Sequence, residues 1–351
     1  MSKRIFYLIL CFTLLLSSLF LSAYAVSADE GLTALRAQFS RDEGPQTNGY
    51  AIDYSYFSPV KDSSDNTKYP LVVIMAGATE GAYEGKELLA NEFAVWSGEE
   101  YQSRFVASGG SFILIARAPE EKLLYWNSSK LVKPLKATLD DFIKKHPNVD
   151  TSRISVMGWC LGARGALNMA CEYPDFFSAA VIMVQPFVIS DEEAETLKNM
   201  PVWLVGCKSD SYASYNMYIS PSWQNLKEHA QSPSLRRFTS FDSAVDTTFF
   251  FNHNVWLQFS YDMHYTGSGY SGMKTVDGAE NEIDTSTGII IWLSVQGLKI
   301  EINDSAENEN CTCLCHSQNK ILRAVWKVLS VFKFLFSYSS NKVCSCGAEH
   351  W

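Results

Sequence analysis

Positive charge is in short supply in this chain. Its 29 Lys and Arg residues face 38 Asp and Glu, for a net charge of −9 at pH 7. Non-specific nucleic-acid binding needs a basic face, so no nucleic-acid partner is expected. Cysteine is sparse through the middle, where Cys160, Cys171 and Cys207 stand far apart, while five more crowd together from Cys311 onward. Such a body is not a disulfide framework. No internal repeat is evident. One long apolar run occurs, Ile5 to Leu21, with Lys3 and Arg4 before it and Ala23-Tyr24-Ala25 after it. That is the pattern of a secretory signal, cleaved after Ala25, and an uncleaved membrane anchor is the alternative reading. Either way the remainder is expected to be exported, secreted or held at the cell surface. The eight cysteines left after cleavage pair evenly only if Cys160 is counted, so Cys160 is expected to stay free.

What is present reads as a layered sheet. After the signal (1–25) and a polar leader (26–49), the stretch from Tyr50 to Pro59 alternates like a half-buried strand. Pro70–Ala76, Ser111–Ala116, Arg153–Met157, Ala179–Val184 and Pro201–Gly206 are strand candidates, several of them wholly apolar, which signals burial on both faces. A last strand is expected at Leu235–Phe241. Helical patterns fall between them, over Lys86–Trp96, Glu99–Ala107, Leu131–Lys145, Leu161–Glu172, Asp191–Lys198 and Trp223–Ala230. Alternating strands and helices predict an α/β fold with a doubly wound, mostly parallel sheet over 50–300. A linker (301–310) and a small Cys-rich helical tail (311–351) follow.

One stretch carries chemistry. Between the strand ending at Met157 and the helix opening at Leu161 lies Gly158-Trp159-Cys160-Leu161-Gly162. This is Gly-x-Cys-x-Gly, the strand–turn–helix nucleophile pattern with Cys in place of Ser. The glycines permit a turn too tight for a Cβ, and a thiol at a helix N-terminus is readily activated. A buried Cys at a Gly-lined turn is the plainer alternative. With Pro70–Gly77, Asp150–Ile154 and Glu172–Ala180, the stretch resembles the α/β-hydrolases, close to esterase, depolymerase and prolyl-oligopeptidase-like members. The elbow itself is similar to that of dienelactone hydrolases, which also use cysteine.

The resemblance implies the chain order nucleophile, acid, histidine. Asp210, in Lys208-Ser209-Asp210 after the Pro201–Gly206 strand, is the expected acid. His253, in Asn252-His253-Asn254-Val255-Trp256, is the expected base, because the segment resembles the family's Gly-His-x-x-Trp; Asn252 tolerates the positive φ of the replaced Gly. His264 is the alternative base, and the polar insertion from Tyr261 to Asp284 around it is expected to shape the substrate entrance. The oxyanion donors expected are the backbone N–H groups of Leu161 and Ala78. The family's usual His before Gly77 is replaced by Ala76, and Ala163 stands where a third glycine is usual. Trp159 is expected to pack on the sheet and Arg164 to form a surface salt bridge. His146, before Pro147, is expected to partner a helix dipole.

The tail holds Cys311, Cys313, Cys315 and His316, then Cys344, Cys346 and His350. These are ligand types for zinc, with disulfides or lipidated cysteines as alternatives. Residues 320–338 between them form a basic amphipathic stretch fit for a membrane surface or cell-envelope contact. Catalysis itself calls for no cofactor. The expected activity is hydrolysis of an ester or lactone in a small-molecule or polymer-linked acyl substrate. A prolyl-oligopeptidase-type peptidase and an inactive hydrolase-fold binding protein are the alternatives.

Overall fold

Strands that are apolar on both sides need cover on both sides, and the chain supplies it. The computed structural model describes residues 31–77, 91–119, 125–244, 252–264 and 270–298. Among these, nine strands make one sheet in the order β1-β2-β4-β3-β5-β6-β7-β8-β9. They are β1 (Ser40–Glu43), β2 (Asp53–Phe57), β3 (Tyr69–Met75), β4 (Phe112–Ala116), β5 (Val149–Trp159), β6 (Ala179–Met183), β7 (Val202–Cys207), β8 (Arg236–Phe241) and β9 (Lys274–Asp277). The six from β4 to β8 in that order pair parallel, whereas β1, β2 and β9 are antiparallel additions at the edges. Every residue of β3, β4, β6 and β7 is buried.

Among the described residues, the α-helices with both ends described are α1 (Glu99–Gln102), α2 (Val132–Lys145), α3 (Leu161–Glu172), α4 (Asp191–Thr196), α5 (Ser220–Glu228), α6 (Trp256–Ser260) and α7 (Gly288–Val295). One sheet face is covered by Leu135, Leu139 and Phe142 of α2, Ala166 and Leu167 of α3, and Trp223 of α5. The opposite face is covered by Phe93, Trp96 and Phe105 together with Trp256, Phe259 and Trp292. Fully burying one such Leu or Phe side chain contributes about 1.5–3 kcal/mol, so the two layers fix the strand edges from which the candidate site is built. Among the described residues no helix is long and apolar enough to cross a membrane.

Several boundaries differ from expectation for physical reasons. The sheet begins before residue 50, because polar Ser40–Glu43 pairs with β2 at an exposed edge that demands no apolar pattern. The expected helix at Glu99–Ala107 stops at Gln102, whose side chain accepts from Ser111 N–H (2.8 Å) and donates to the Trp96 carbonyl (2.7 Å), turning the chain. Part of the polar insertion is β9 rather than an entrance. Thr275 there bonds Thr239 of β8 through their hydroxyls at 2.8 Å. His146 does cap the C-terminus of α2, its backbone N–H donating to the Phe142 carbonyl at 2.9 Å, but its surroundings disfavour the cation. Burial pushes its pKa down, with Lys145 adding to the shift, and its ring packs 4.3 Å from that of Phe142. The signal segment, residues 86–90 of the Lys86–Trp96 pattern, the linker and the Cys-rich tail lie outside the described residues, and the rest of that pattern falls in a 3-10 helix, Asn91–Ser97, rather than an α-helix.

Candidate active site

β5 delivers Cys160 in a conformation that few residues tolerate. Its φ of 55° and ψ of −122° place it in backbone space normally left to glycine. The flanking glycines are required. A Cβ on Gly158 would lie 2.3 Å from the Gly162 carbonyl oxygen, and one on Gly162 would lie 2.1 Å from that of Met75. Gly77 runs directly over the nucleophile, since a Cβ there would touch the Cβ of Cys160 at 3.3 Å. Gly162→Ala is therefore expected to destabilise the fold by about 2 kcal/mol or more, read as a lowered melting temperature by circular dichroism.

Two other loops at the same edge of the sheet complete the arrangement. After β7, Asp210 is buried and fully engaged. Oδ1 accepts the backbone N–H of Tyr212 (2.8 Å) and Ala213 (2.9 Å), while Oδ2 meets Nδ1 of His253 at 2.7 Å. After β8, Asn252 turns the chain with φ 62°, its side-chain oxygen accepting the Ala244 N–H at 2.9 Å. His253 follows, 5% exposed, and its ring also meets the Cys160 thiol. Cys160, Asp210 and His253 are thus brought together from three loops.

Burial works against the imidazolium of His253. The hydrogen bonds with Asp210 and Cys160 outweigh it and raise the pKa from 6.5 to about 9. A raised cationic group contributes stability that is complete below its unfolded pKa and is lost as pH climbs through its folded one. Stability measured by chemical denaturation is expected to fall between pH 6.5 and 9, and His253→Ala to flatten that fall.

His264 is not part of this group. Arg104 Nη2 donates to its Nε2 at 3.1 Å, and burial followed by the Arg104 charge lowers its pKa, so it stands as a neutral acceptor on the Arg104 side. Leu161 is the first residue of α3, where a backbone N–H has no partner within its own helix. Ala78 and the tail ligands Cys311, Cys313, Cys315, His316, Cys344, Cys346 and His350 lie outside the described residues. Among the described residues no cluster of His, Cys, Asp or Glu has the makings of a metal site.

Trp159 packs as expected, stacked between Trp256 (4.7 Å) and Phe93 (5.5 Å). Arg164 pairs with Glu193 at 2.8 Å and lies over Phe187. The sequence reading missed Tyr212, 46% exposed, whose ring stands edge-on to His253 at 5.2 Å. Its position two residues beyond the acid was the available signal.

Parts of the chain resemble known proteins. A family model described as PET hydrolase-like matches residues 131–246, which include the elbow and the Asp210 loop. A thermostable esterase structure superposes with a TM-score of 0.52 at 23% identity, covering 65% of this chain and 61% of its own. An acylaminoacyl peptidase of Pyrococcus horikoshii gives 0.43 at 13% identity, with 54% of this chain and 35% of that one covered. The chain thus spans less than two thirds of either structure. No curated protein matches the sequence.

Proposed function

We propose that this chain is an α/β-hydrolase that cleaves carboxylic ester or lactone bonds with Cys160 as nucleophile. The observation that carries this reading is the His253 ring, held by Asp210 at 2.7 Å on one side and meeting the strained Cys160 on the other. The PET hydrolase-like match across the elbow and acid loop supports an ester as the bond class.

His253 takes the thiol proton as the sulfur attacks the acyl carbonyl. The oxyanion that forms is met by the Leu161 N–H, a kind of donor that contributes about 10²–10³ in rate, with the Ala78 N–H expected from the sequence as the second donor. Collapse expels the alcohol, which takes the proton back from His253 and leaves a thioester on Cys160. Water, deprotonated by His253, then attacks the thioester; the C–S bond breaks, the acid is released and the sulfur of Cys160 takes the proton back from His253. Asp210 fixes the tautomer and stabilises the imidazolium throughout.

Selective alkylation tests the reading. Burial raises the thiol pKa of Cys171 to about 12 and that of Cys207 to about 11, so both hold their protons at neutral pH. One equivalent of iodoacetamide is expected to modify Cys160 ahead of those two and to stop p-nitrophenyl ester turnover in proportion. Turnover that survives full modification of Cys160 would overturn the proposal, and a protein with no ester turnover at all would instead be a binding protein on this scaffold.

A further inference from the structure

Two unfavourable features meet beside the nucleophile, and the mechanism above uses neither. The first is Val184, the residue after β6, which has φ 44°. A β-branched residue there is a genuine outlier, the kind of strain that collects at ligand sites. The second is Gln185, the next residue. It is 0% exposed, and among the described residues neither its amide nitrogen nor its amide oxygen has a hydrogen-bond partner. A buried amide left unpaired is costly, whereas an apolar side chain of similar shape in its place is neutral or stabilising. The fold alone gives no reason to keep glutamine at this position.

The placement supplies one. Met183 accepts the backbone N–H of Cys160 at 3.0 Å, and Val184 N–H donates to the carbonyl of Val205 at 2.9 Å. Gln185 therefore leaves the sheet between the strand that ends in the nucleophile and the strand that leads to Asp210. Its amide offers one acceptor and two donors on the loop that leaves β6, at the sheet edge from which the neighbouring strands β5 and β7 run on to Cys160 and Asp210.

We propose that Gln185 is a specificity-determining contact, its amide pairing with a polar group of the acyl part of the substrate, such as an amide or a second carbonyl, a few bonds from the scissile ester. This rests on the hydrolase reading. The empty protein carries the unpaired amide as a penalty, and binding of a substrate with a matching polar group relieves it. A purely hydrocarbon acyl chain cannot relieve it, so the site discriminates between the two.

The test compares wild type with Gln185→Met and Gln185→Leu on p-nitrophenyl N-acetylglycinate and p-nitrophenyl pentanoate, acyl chains of similar length with and without an amide. Both variants are expected to melt at the same temperature as wild type or higher. The ratio of kcat/KM for the amide-bearing ester to that for the pentanoate is expected to fall about tenfold, the worth of one good hydrogen bond. A ratio unchanged in variants that remain active overturns this proposal and leaves the hydrolase reading standing. A clear drop in melting temperature, or failure of both variants to fold, also overturns it, because the amide then serves the fold. Wild type that turns over neither ester overturns the hydrolase reading and this one with it.

Discussion

Cys160→Ala is expected to reduce ester turnover by about 10⁴-fold or more, and Asp210→Asn by about 10³–10⁴-fold. The reasons differ. Alanine removes the atom that forms the covalent intermediate, and what survives is whatever binding and oxyanion donors achieve alone. Asparagine keeps the size of Asp210 and leaves Oδ1 to accept from Tyr212 and Ala213. Its amide, however, donates to Nδ1 where the carboxylate accepted from it. The proton is then held on the wrong ring nitrogen, the one facing Cys160, and the base is lost. Removing the charge also withdraws a main cause of the raised His253 pKa. The rising limb of the pH–rate profile, where His253 loses its proton and becomes a base, is set near 9 in wild type and is expected to move toward neutrality in the residual activity of Asp210→Asn. Because the three residues act as a unit, the double variant is expected to be little worse than Cys160→Ala, measured as kcat/KM on one ester. Additive losses would mean that Asp210 acts on something other than His253.

The sequence made this group readable because its geometry is local. Gly158 and Gly162 stand where a Cβ cannot, Asn252 stands where φ is positive, and Asp210 follows a strand too apolar to be anything but central. The parallel sheet was legible for the same reason, since β3, β4, β6 and β7 are apolar at nearly every position. Spacing alone left two histidines as candidate bases, separated here by their partners: His253 meets Asp210 and His264 meets Arg104, 160 residues away in sequence. β9 was invisible because an edge strand in a polar insertion needs only Thr275 and Val276 inward. Gln185 gave no sequence signal either. A glutamine becomes informative only once it is buried, strained at its neighbour and left without a partner.

The largest expected loss of stability lies away from the thiol, in a knot the sequence reading did not anticipate. Asp262 has no exposed side-chain surface. Its Oδ1 accepts the Ile290 N–H at the start of α7 (2.7 Å), and its Oδ2 lies 2.6 Å from Arg104 Nε. Arg104 also donates to the Thr287 carbonyl at 2.8 Å, and Trp96 Nε1 donates to that of Ser260 at 2.6 Å. These bonds tie α6, which begins three residues after His253, to α7 and to the segment around α1. Breaking a buried pair from one side costs about 3–5 kcal/mol, but Asp262 has an escape. Burial pushes its pKa from 3.8 to about 7 even with Arg104 in place, so without the arginine it sheds its charge by taking a proton. Arg104→Ala is therefore expected to destabilise most above pH 7 and much less near pH 5. In wild type the sign follows from the same shift. A carboxyl whose folded pKa lies above its unfolded value contributes stability that is complete below about pH 4 and declines through pH 7. Asp262→Asn keeps the acceptor for Ile290 and removes the titration, so its denaturation free energy is expected to lose that decline between pH 4 and 7 while keeping the later one assigned to His253. A decline that persists unchanged in Asp262→Asn would place the titrating group elsewhere and leave the Arg104 pair with a packing role alone.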